Sequence, residues 1–235
     1  MLLATLSSYV LGYLLTAVGV LLGCLVAVVN WRSFIRVGCM VWGTLIFWVT
    51  GRHPRVSGRE NMTRGRPYLV VSNHASMYDI PALMATVPGI AIMGRDYLTR
   101  IPGLGRLLRI LHYVPIDTGS ARSARAALQQ AAREIRAGTP VGIFAEGTRT
   151  DDGRVHGLKR GFVSVLRESG GDLLPVFIRG TYALKPKGQW WMDPREPIAI
   201  AIGAPIANGD LVALDDAGIM AQVKTVLETM GGNGA

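Results

Sequence analysis

Pro67-Tyr68-Leu69-Val70-Val71-Ser72-Asn73-His74-Ala75-Ser76-Met77-Tyr78-Asp79-Ile80-Pro81 is the stretch where this chain declares its architecture. A short apolar, β-branched run ends at Asn73-His74, and a helical pattern opens after Asp79. The run over 67–72 reads as a strand buried on both faces, because it is apolar without alternation and too short for an ordinary helix. Ile80 to Val87 reads as a helix entered through Asp79 and Pro81, proline being tolerated in a first helical turn. The same alternation recurs downstream. Ile90 to Met93, Tyr113 to Asp117, Val141 to Ala145, Leu174 to Ile178 and Ile198 to Ile202 read as strands. Leu104 to Leu111, Ser120 to Ala137, Leu158 to Ser169 and Leu211 to Met230 read as helices, with a loose tail from Gly231. Strands alternating with helices predict an α/β fold: a mostly parallel layered sheet with helices on both faces.

Upstream the texture is different. No charged residue occurs from Met1 to Val29. A helix of that length rises roughly 44 Å, against about 30 Å for a bilayer core. The polar and aromatic patch Asn30-Trp31-Arg32-Ser33-Phe34-Ile35-Arg36 follows, with an interfacial composition. Val37 to Thr50 is apolar but shorter, about 21 Å as a helix, and reads as a re-entrant or interfacial segment. The expected division is an N-terminal membrane-embedded helical motif over 1–50 and one α/β domain over 51–235. A cleaved signal peptide fits poorly, since the start Met1-Leu2-Leu3-Ala4 carries no Lys or Arg. Whether the first helix crosses or sits in one leaflet stays open.

Composition agrees with a membrane setting. Of 235 residues, 49% are hydrophobic and 17% charged, too apolar for an ordinary soluble domain. The net charge of +9 asks for an anionic partner. The apolar start favours a bilayer surface or a phosphorylated substrate, and no zinc-finger, RNA-recognition or basic-zipper spacing supports nucleic acid. Cys24 and Cys39 have no Cys or His at metal-ligand spacing and read as small apolar side chains.

Two blocks carry candidate chemistry. His74 follows a predicted strand, and ligands gather at strand carboxyl ends in open α/β sheets. Asp79 stands five positions later, across a turn that would let its carboxylate hold one imidazole nitrogen and free the other. An imidazole titrates near neutrality and suits a general base. On spacing alone, helix capping by Ser76 and Asp79 is the better reading of this pair. The second block, Phe144-Ala145-Glu146-Gly147-Thr148-Arg149, also follows a predicted strand. Gly147 permits close backbone approach, Thr148 adds a hydroxyl, and Arg149 offers a fork suited to phosphate. Alone it reads equally well as a glycine turn.

Together these blocks resemble the glycerolipid acyltransferases, especially the 1-acylglycerol-3-phosphate acyltransferases. Asn73-His74 with Asp79, then Phe144 to Arg149, stand in the family's order over roughly residues 67–180. Val114-Pro115-Ile116-Asp117-Thr118 matches the block between them, with Thr118 where the family usually has arginine; Arg122 or Arg125 would be substitutes. Leu174-Pro175-Val176 through Gly180 matches the last block. Arg95 stands where the family often has lysine, and Lys159-Arg160-Gly161 resembles its basic turn.

The resemblance implies that 51–235 is an acyltransferase catalytic domain. His74 takes a proton from the sn-2 hydroxyl of 1-acylglycerol-3-phosphate, Asp79 orients it, and the oxygen attacks a thioester of acyl-CoA or acyl carrier protein. Arg95, Asp117, Glu146, Gly147, Thr148, Arg149 and Lys159 are the expected substrate-binding residues. No metal and no cofactor beyond that co-substrate are expected. The expected setting is the bacterial inner membrane with the domain on the cytoplasmic side, because the charges follow the first apolar stretch. The rivals are acylation of another lyso-lipid such as lyso-ornithine lipid, a non-enzymatic lipid-binding protein, and a thioester hydrolase.

Overall fold

The computed structural model describes residues 2–28, 32–63 and 65–232. Two helices, α1 (Leu2–Val28) and α2 (Arg32–Val49), precede the sheet domain. Seven strands follow: β1 (Arg55–Ser57), β2 (Tyr68–Ser72), β3 (Ala91–Arg95), β4 (Val114–Ile116), β5 (Val141–Phe144), β6 (Asp172–Arg179) and β7 (Ala199–Ile202). The helices between and after them are α3 (Asp79–Thr86), α4 (Leu104–Ile110), α5 (Ala121–Arg136), α6 (Gly161–Ser169), α7 (Thr181–Leu184), α8 (Asn208–Val212) and α9 (Asp216–Gly232).

The strands form one sheet in the order β1-β7-β6-β2-β5-β3-β4. β2 pairs parallel with both β5 and β6, and β3 pairs parallel with β5 and β4. Among the described strands, β6 and β7 pair antiparallel, and β1 runs parallel to β7. The expected mostly parallel α/β sheet is therefore present. Every residue of β2 is buried, as a central strand covered on both faces requires. Leu69 and Val71 enter one core layer with Ile135, Phe162, Leu166, Val223 and Leu227, from α5, α6 and α9. Tyr68 and Val70 enter the other, with Phe47 from α2, Leu83 from α3 and Leu184 from α7.

Several boundaries move for identifiable reasons. The helix expected from Leu158 starts at Gly161, because Lys159 N donates to Ala145 O at 2.7 Å and keeps that stretch extended. The single closing helix expected over 211–230 is two. The chain breaks between Val212 and Asp216, where Asp215 Oδ1 accepts from Gly218 N at 2.7 Å and caps α9. Gly231 and Gly232 belong to α9 rather than to a loose tail; Gly231 O accepts from the Arg179 guanidinium. Residues 233–235 of that tail, like Asn30 and Trp31 of the interfacial patch and Met1, lie outside the described residues.

α1 is apolar throughout and leaves Leu3, Val10, Leu14 and Leu21 exposed. It nevertheless touches the sheet domain near both ends. Met192 N donates to Thr5 Oγ1 at 3.2 Å, while Val20 and Val26 pack with Leu107 and Leu111. The apolar stretch expected over 37–50 is the helix α2, which starts earlier at Arg32 and lies on α3. Gly43 permits that approach: a Cβ there would sit 2.6 Å from Pro81 O and 2.9 Å from Ala85 N. At Gly38, in the same helix, a Cβ would meet nothing within 4 Å. Gly43→Ala is expected to destabilise the fold by about 1–3 kcal/mol through overpacking, while Gly38→Ala leaves it unchanged or slightly more stable. Thermal unfolding of both variants in detergent measures the contrast.

Candidate active site

His74, Arg95, Thr118 and the 146–149 segment all leave the same edge of the sheet, because β2, β3, β4 and β5 run parallel and each residue lies at or just beyond a strand's carboxyl end. β2 and β5 pair with Ser72 opposite Phe144, so His74 and Glu146 emerge from neighbouring strands. Asn73 continues the sheet with its side chain. Its amide donates to Ile178 O at 2.9 Å and accepts from Ile178 N at 2.8 Å, tying the end of β2 to β6.

Beyond Asn73 the backbone turns around one carboxylate. Asp79 is completely buried, and its Oδ2 accepts from Ala75 N at 2.7 Å and Ser76 N at 2.8 Å while lying 2.8 Å from His74 Nδ1. Thr181 Oγ1 donates to Oδ1 at 2.6 Å. An oxygen that already accepts two backbone N–H bonds is an acceptor for the imidazole too, which puts the ring proton on Nδ1 and leaves Nε2 with its lone pair. The capping alternative is thus half present. Asp79 does bind backbone amides, but those of the turn before it; the residue flanking α3, Tyr78, makes no side-chain cap. The His74 ring stacks on Phe144, centroids 4.0 Å apart at 14°, and its side chain keeps 16% of its exposure. One ring edge is fixed, one face is covered, and Nε2 is the nitrogen not engaged by Asp79.

Glu146 is buried and serves the backbone. Its Oε1 accepts from His74 N at 3.0 Å and its Oε2 from His156 N at 3.3 Å. Burial pushes its carboxyl above the ordinary glutamate range, against the lowering effect of those two amides and of both histidines. Gly147 has φ 74, a left-handed conformation that glycine adopts without strain, and the Lys159 side chain lies over it. Thr148 is exposed, Arg149 half-buried, and Thr150 N donates to His74 O at 2.8 Å. The 146–150 segment is thereby bonded to the His74 backbone at two points.

The other expected contacts sit farther along the edge. Arg95 donates to Thr118 Oγ1 at 2.8 Å, so the threonine at the usual arginine position engages the arginine at the usual lysine position. Asp117 Oδ1 closes a local turn on Gly119 N at 2.9 Å, and Arg122 and Arg125 are exposed on α5. Among the described residues, no hydrogen bond joins Arg95, Asp117, Thr118, Arg122 or Arg125 to His74 or Asp79. Thr181, which holds the second oxygen of Asp79, is a site residue that the sequence motifs do not mark. Thr181 directly follows Gly180, where the last matched block ended, so only contact across the fold reveals it.

Comparison with known proteins identifies the family. The acyltransferase family model matches residues 53–179. The chain is 30% identical over 170 residues to a 1-acyl-sn-glycerol-3-phosphate acyltransferase of Limnanthes douglasii, covering 72% of this chain and 59% of that protein. An enzyme of the same name from Borreliella burgdorferi is 30% identical over 135 residues, which is 57% of this chain and 54% of that one. The chain thus spans little more than half the length of these relatives. The crystal structure of the 1-acyl-sn-glycerophosphate (LPA) acyltransferase from Thermotoga maritima superposes with a TM-score of 0.81 at 27% identity, covering 97% of this chain and 94% of that one. The chain belongs to the acyltransferase family.

Asp79→Asn places an amide among groups that all donate, and is expected to lower transfer activity about 10²–10⁴-fold, as loss of a positioned general base does; steady-state rates on folded variant protein check it. Glu146 gives a pH signature. Its raised value means that the folded chain binds a proton more tightly than the unfolded chain. Its contribution is therefore greatest below the ordinary glutamate range and is lost as pH rises through the higher folded value. Denaturation midpoints across that window should fall with pH in the wild type, and this component of the slope should vanish in Glu146→Gln.

Proposed function

We propose that this acyltransferase moves an acyl chain from acyl-CoA or acyl carrier protein to the sn-2 hydroxyl of 1-acylglycerol-3-phosphate, giving phosphatidic acid. The observation that carries the reading is the His74 ring, held through Nδ1 by a buried Asp79 with Nε2 left for the substrate. Nε2 takes the hydroxyl proton as the oxygen attacks the thioester carbonyl. The tetrahedral intermediate then expels the thiolate, and the proton passes from His74 to that sulfur. The thioester bond breaks, the ester bond forms, and protons balance without an acyl-enzyme. Asp79 steadies the imidazolium while it exists. Arg149, beside the site, and Arg95, farther along the sheet edge, would meet the acceptor's phosphate.

The N-terminal helices suit an acceptor that resides in a membrane. α1 is long and apolar enough to cross, with its outer face uncovered. However, Thr5 and Val20 both contact the sheet domain, and about 22 Å of helix separates them. A domain touching both ends cannot stand on one side of a bilayer core about 30 Å thick while α1 crosses it upright. We therefore place α1 within one leaflet, with its exposed side chains in lipid and the sheet domain on the cytoplasmic face of the inner membrane. The Arg95–Thr118 bond supports a second acceptor reading, a lyso-lipid with another headgroup, since it occupies a cation expected on phosphate.

Purified protein in mixed micelles, given labelled acyl-CoA and a panel of lyso-acceptors, tests both readings. Phosphatidic acid is the expected product from lysophosphatidate. Turnover of lyso-ornithine lipid or lysophosphatidylglycerol in its place would sink the first reading, and release of free fatty acid alone would make the protein a hydrolase. His74→Ala should lose about 10²–10⁴-fold of the rate while still partitioning into vesicles.

A further inference from the structure

Trp190 and Trp191 are neighbours in the sequence, and both are exposed, 56% and 38%, in a segment outside α7 and β7. Their rings meet edge to face, with centroids 6.2 Å apart at 88°. The loop that carries them is closed at its base, where Asp193 N donates to Leu184 O at 2.9 Å. It is also pinned at both ends. Lys185 O accepts from Ser76 Oγ at 2.8 Å, and the buried Met192 accepts at Sδ from Tyr78 Oη at 3.2 Å. Two large rings left in water forgo the stabilisation that burial brings, and a contiguous exposed apolar surface marks a place of contact.

The place of the loop says what it meets. Thr5 of α1 binds the Met192 backbone twice, accepting from its N–H at 3.2 Å and donating to its carbonyl at 3.4 Å. Ser8, one turn along α1, donates to Val49 O at 3.0 Å. Those two positions are about 4.5 Å apart along the helix axis. Trp191 beside Met192 and Trp48 beside Val49 therefore flank the first turns of α1, and Trp48 is exposed as well. The same turns leave Leu2, Leu3 and Leu6 exposed, the beginning of the uncovered apolar face of α1. The tryptophan surface is thus continuous with a surface already assigned to lipid. Lys187 and Arg195, on the same stretch of chain, are exposed too. Indole rings beside cations have the composition of the headgroup boundary of a bilayer.

We propose that the Trp190–Trp191 loop is a second membrane-seating element, outside the two N-terminal helices, whose rings enter the boundary between headgroups and acyl chains and hold the rim of the site at the lipid surface. This rests on the reading of α1 as embedded in one leaflet. The loop adds a contact from the sheet domain itself, about a hundred residues downstream of the His74 turn in sequence and bonded to it in space. Ser76, whose hydroxyl holds Lys185 O, also gives its amide to Asp79 Oδ2. Seating the two rings therefore sets the height of the turn that carries the imidazole, and an acceptor anchored by its own acyl chain meets the site without leaving the interface.

The test uses the full chain bound to vesicles of phosphatidylethanolamine and phosphatidylglycerol whose acyl chains carry a fluorescence quencher near the glycerol end. Wild type is compared with the double variant Trp190→Phe/Trp191→Phe. The difference between their emission spectra is the signal of the loop, and what remains in the variant comes from Trp31, Trp42 and Trp48. Both signals are expected to be quenched. A quenched residual signal with an unquenched loop signal overturns the proposal and leaves the embedding of α1 standing; if neither is quenched, the embedding falls and the proposal with it. In parallel, Trp190→Ala/Trp191→Ala should lower turnover of vesicle-borne lysophosphatidate about 10-fold, the scale of lost partial burial of a large apolar side chain. Its thermal midpoint, and its turnover of a short-chain lysophosphatidate dissolved in water, should stay near wild type. Leu214→Ala is the control, removing an exposed apolar side chain from the link between α8 and α9. A wild-type rate on vesicles overturns the proposal. So does a loop signal shielded from the lipid quencher together with a dimer that the alanine variant turns into a monomer, which assigns the surface to a second copy of the chain. If lysophosphatidate is not turned over at all, the acceptor assignment falls and the quenching of the loop signal decides alone.

Discussion

The site is organised around a negative charge that has no access to water. Asp79 is fully buried, and such a carboxylate is tolerable only when hydrogen bonds replace its hydration. It collects them from two parts of the chain: the His74 ring and the Ala75 and Ser76 amides on the turn after β2, and Thr181 at the start of α7. Removing the charge would release the imidazole and also leave two amides and a hydroxyl unsatisfied. Function and local folding therefore draw on the same interaction. This is why a carboxylate that reads as a capping residue and one that reads as a histidine partner are the same group here.

Around that charge, neighbouring strands are stitched together by side chains that act as backbone. The Asn73 amide extends β2 onto β6, and the Glu146 carboxylate joins the chain after β5 to the chain after β2. Glu146 stands where a ligand contact was expected, yet both of its oxygens are occupied by protein amides. In this structure it shapes the edge on which Arg149 stands. The division suits a site built at strand ends, where the ladder stops and loose backbone groups need partners.

The sheet domain was legible wherever one residue class dominated a segment. β2 and β5 are apolar runs between turn residues, and α5 shows helical spacing, with Ser120 as its cap and Ala127, Ala131 and Ile135 on the buried side. β1 escaped because Arg55-Val56-Ser57 is a three-residue edge strand with two exposed positions, too short to show a pattern. α7 escaped because four residues carry no periodicity. The His74 and Glu146 turns could be read from strand ends, since both lie within a few residues of an apolar run. Thr181 could not, because what places it is contact across about a hundred residues of sequence, and spacing along the chain holds no record of that.

The attachment of α1 near both ends has a consequence for how the enzyme meets its substrate. A catalytic domain on a single flexible stalk samples a range of heights and orientations above the lipid, and each encounter must first find the right one. Here Thr5–Met192 at one end and Val20 against Leu107 at the other make the helix a keel bolted to the hull. On the proposed embedding, the draught of the molecule is constant. Its search for an acceptor is then reduced to sliding in a plane and turning about one axis, and the orientational cost of docking has already been met when the chain folds.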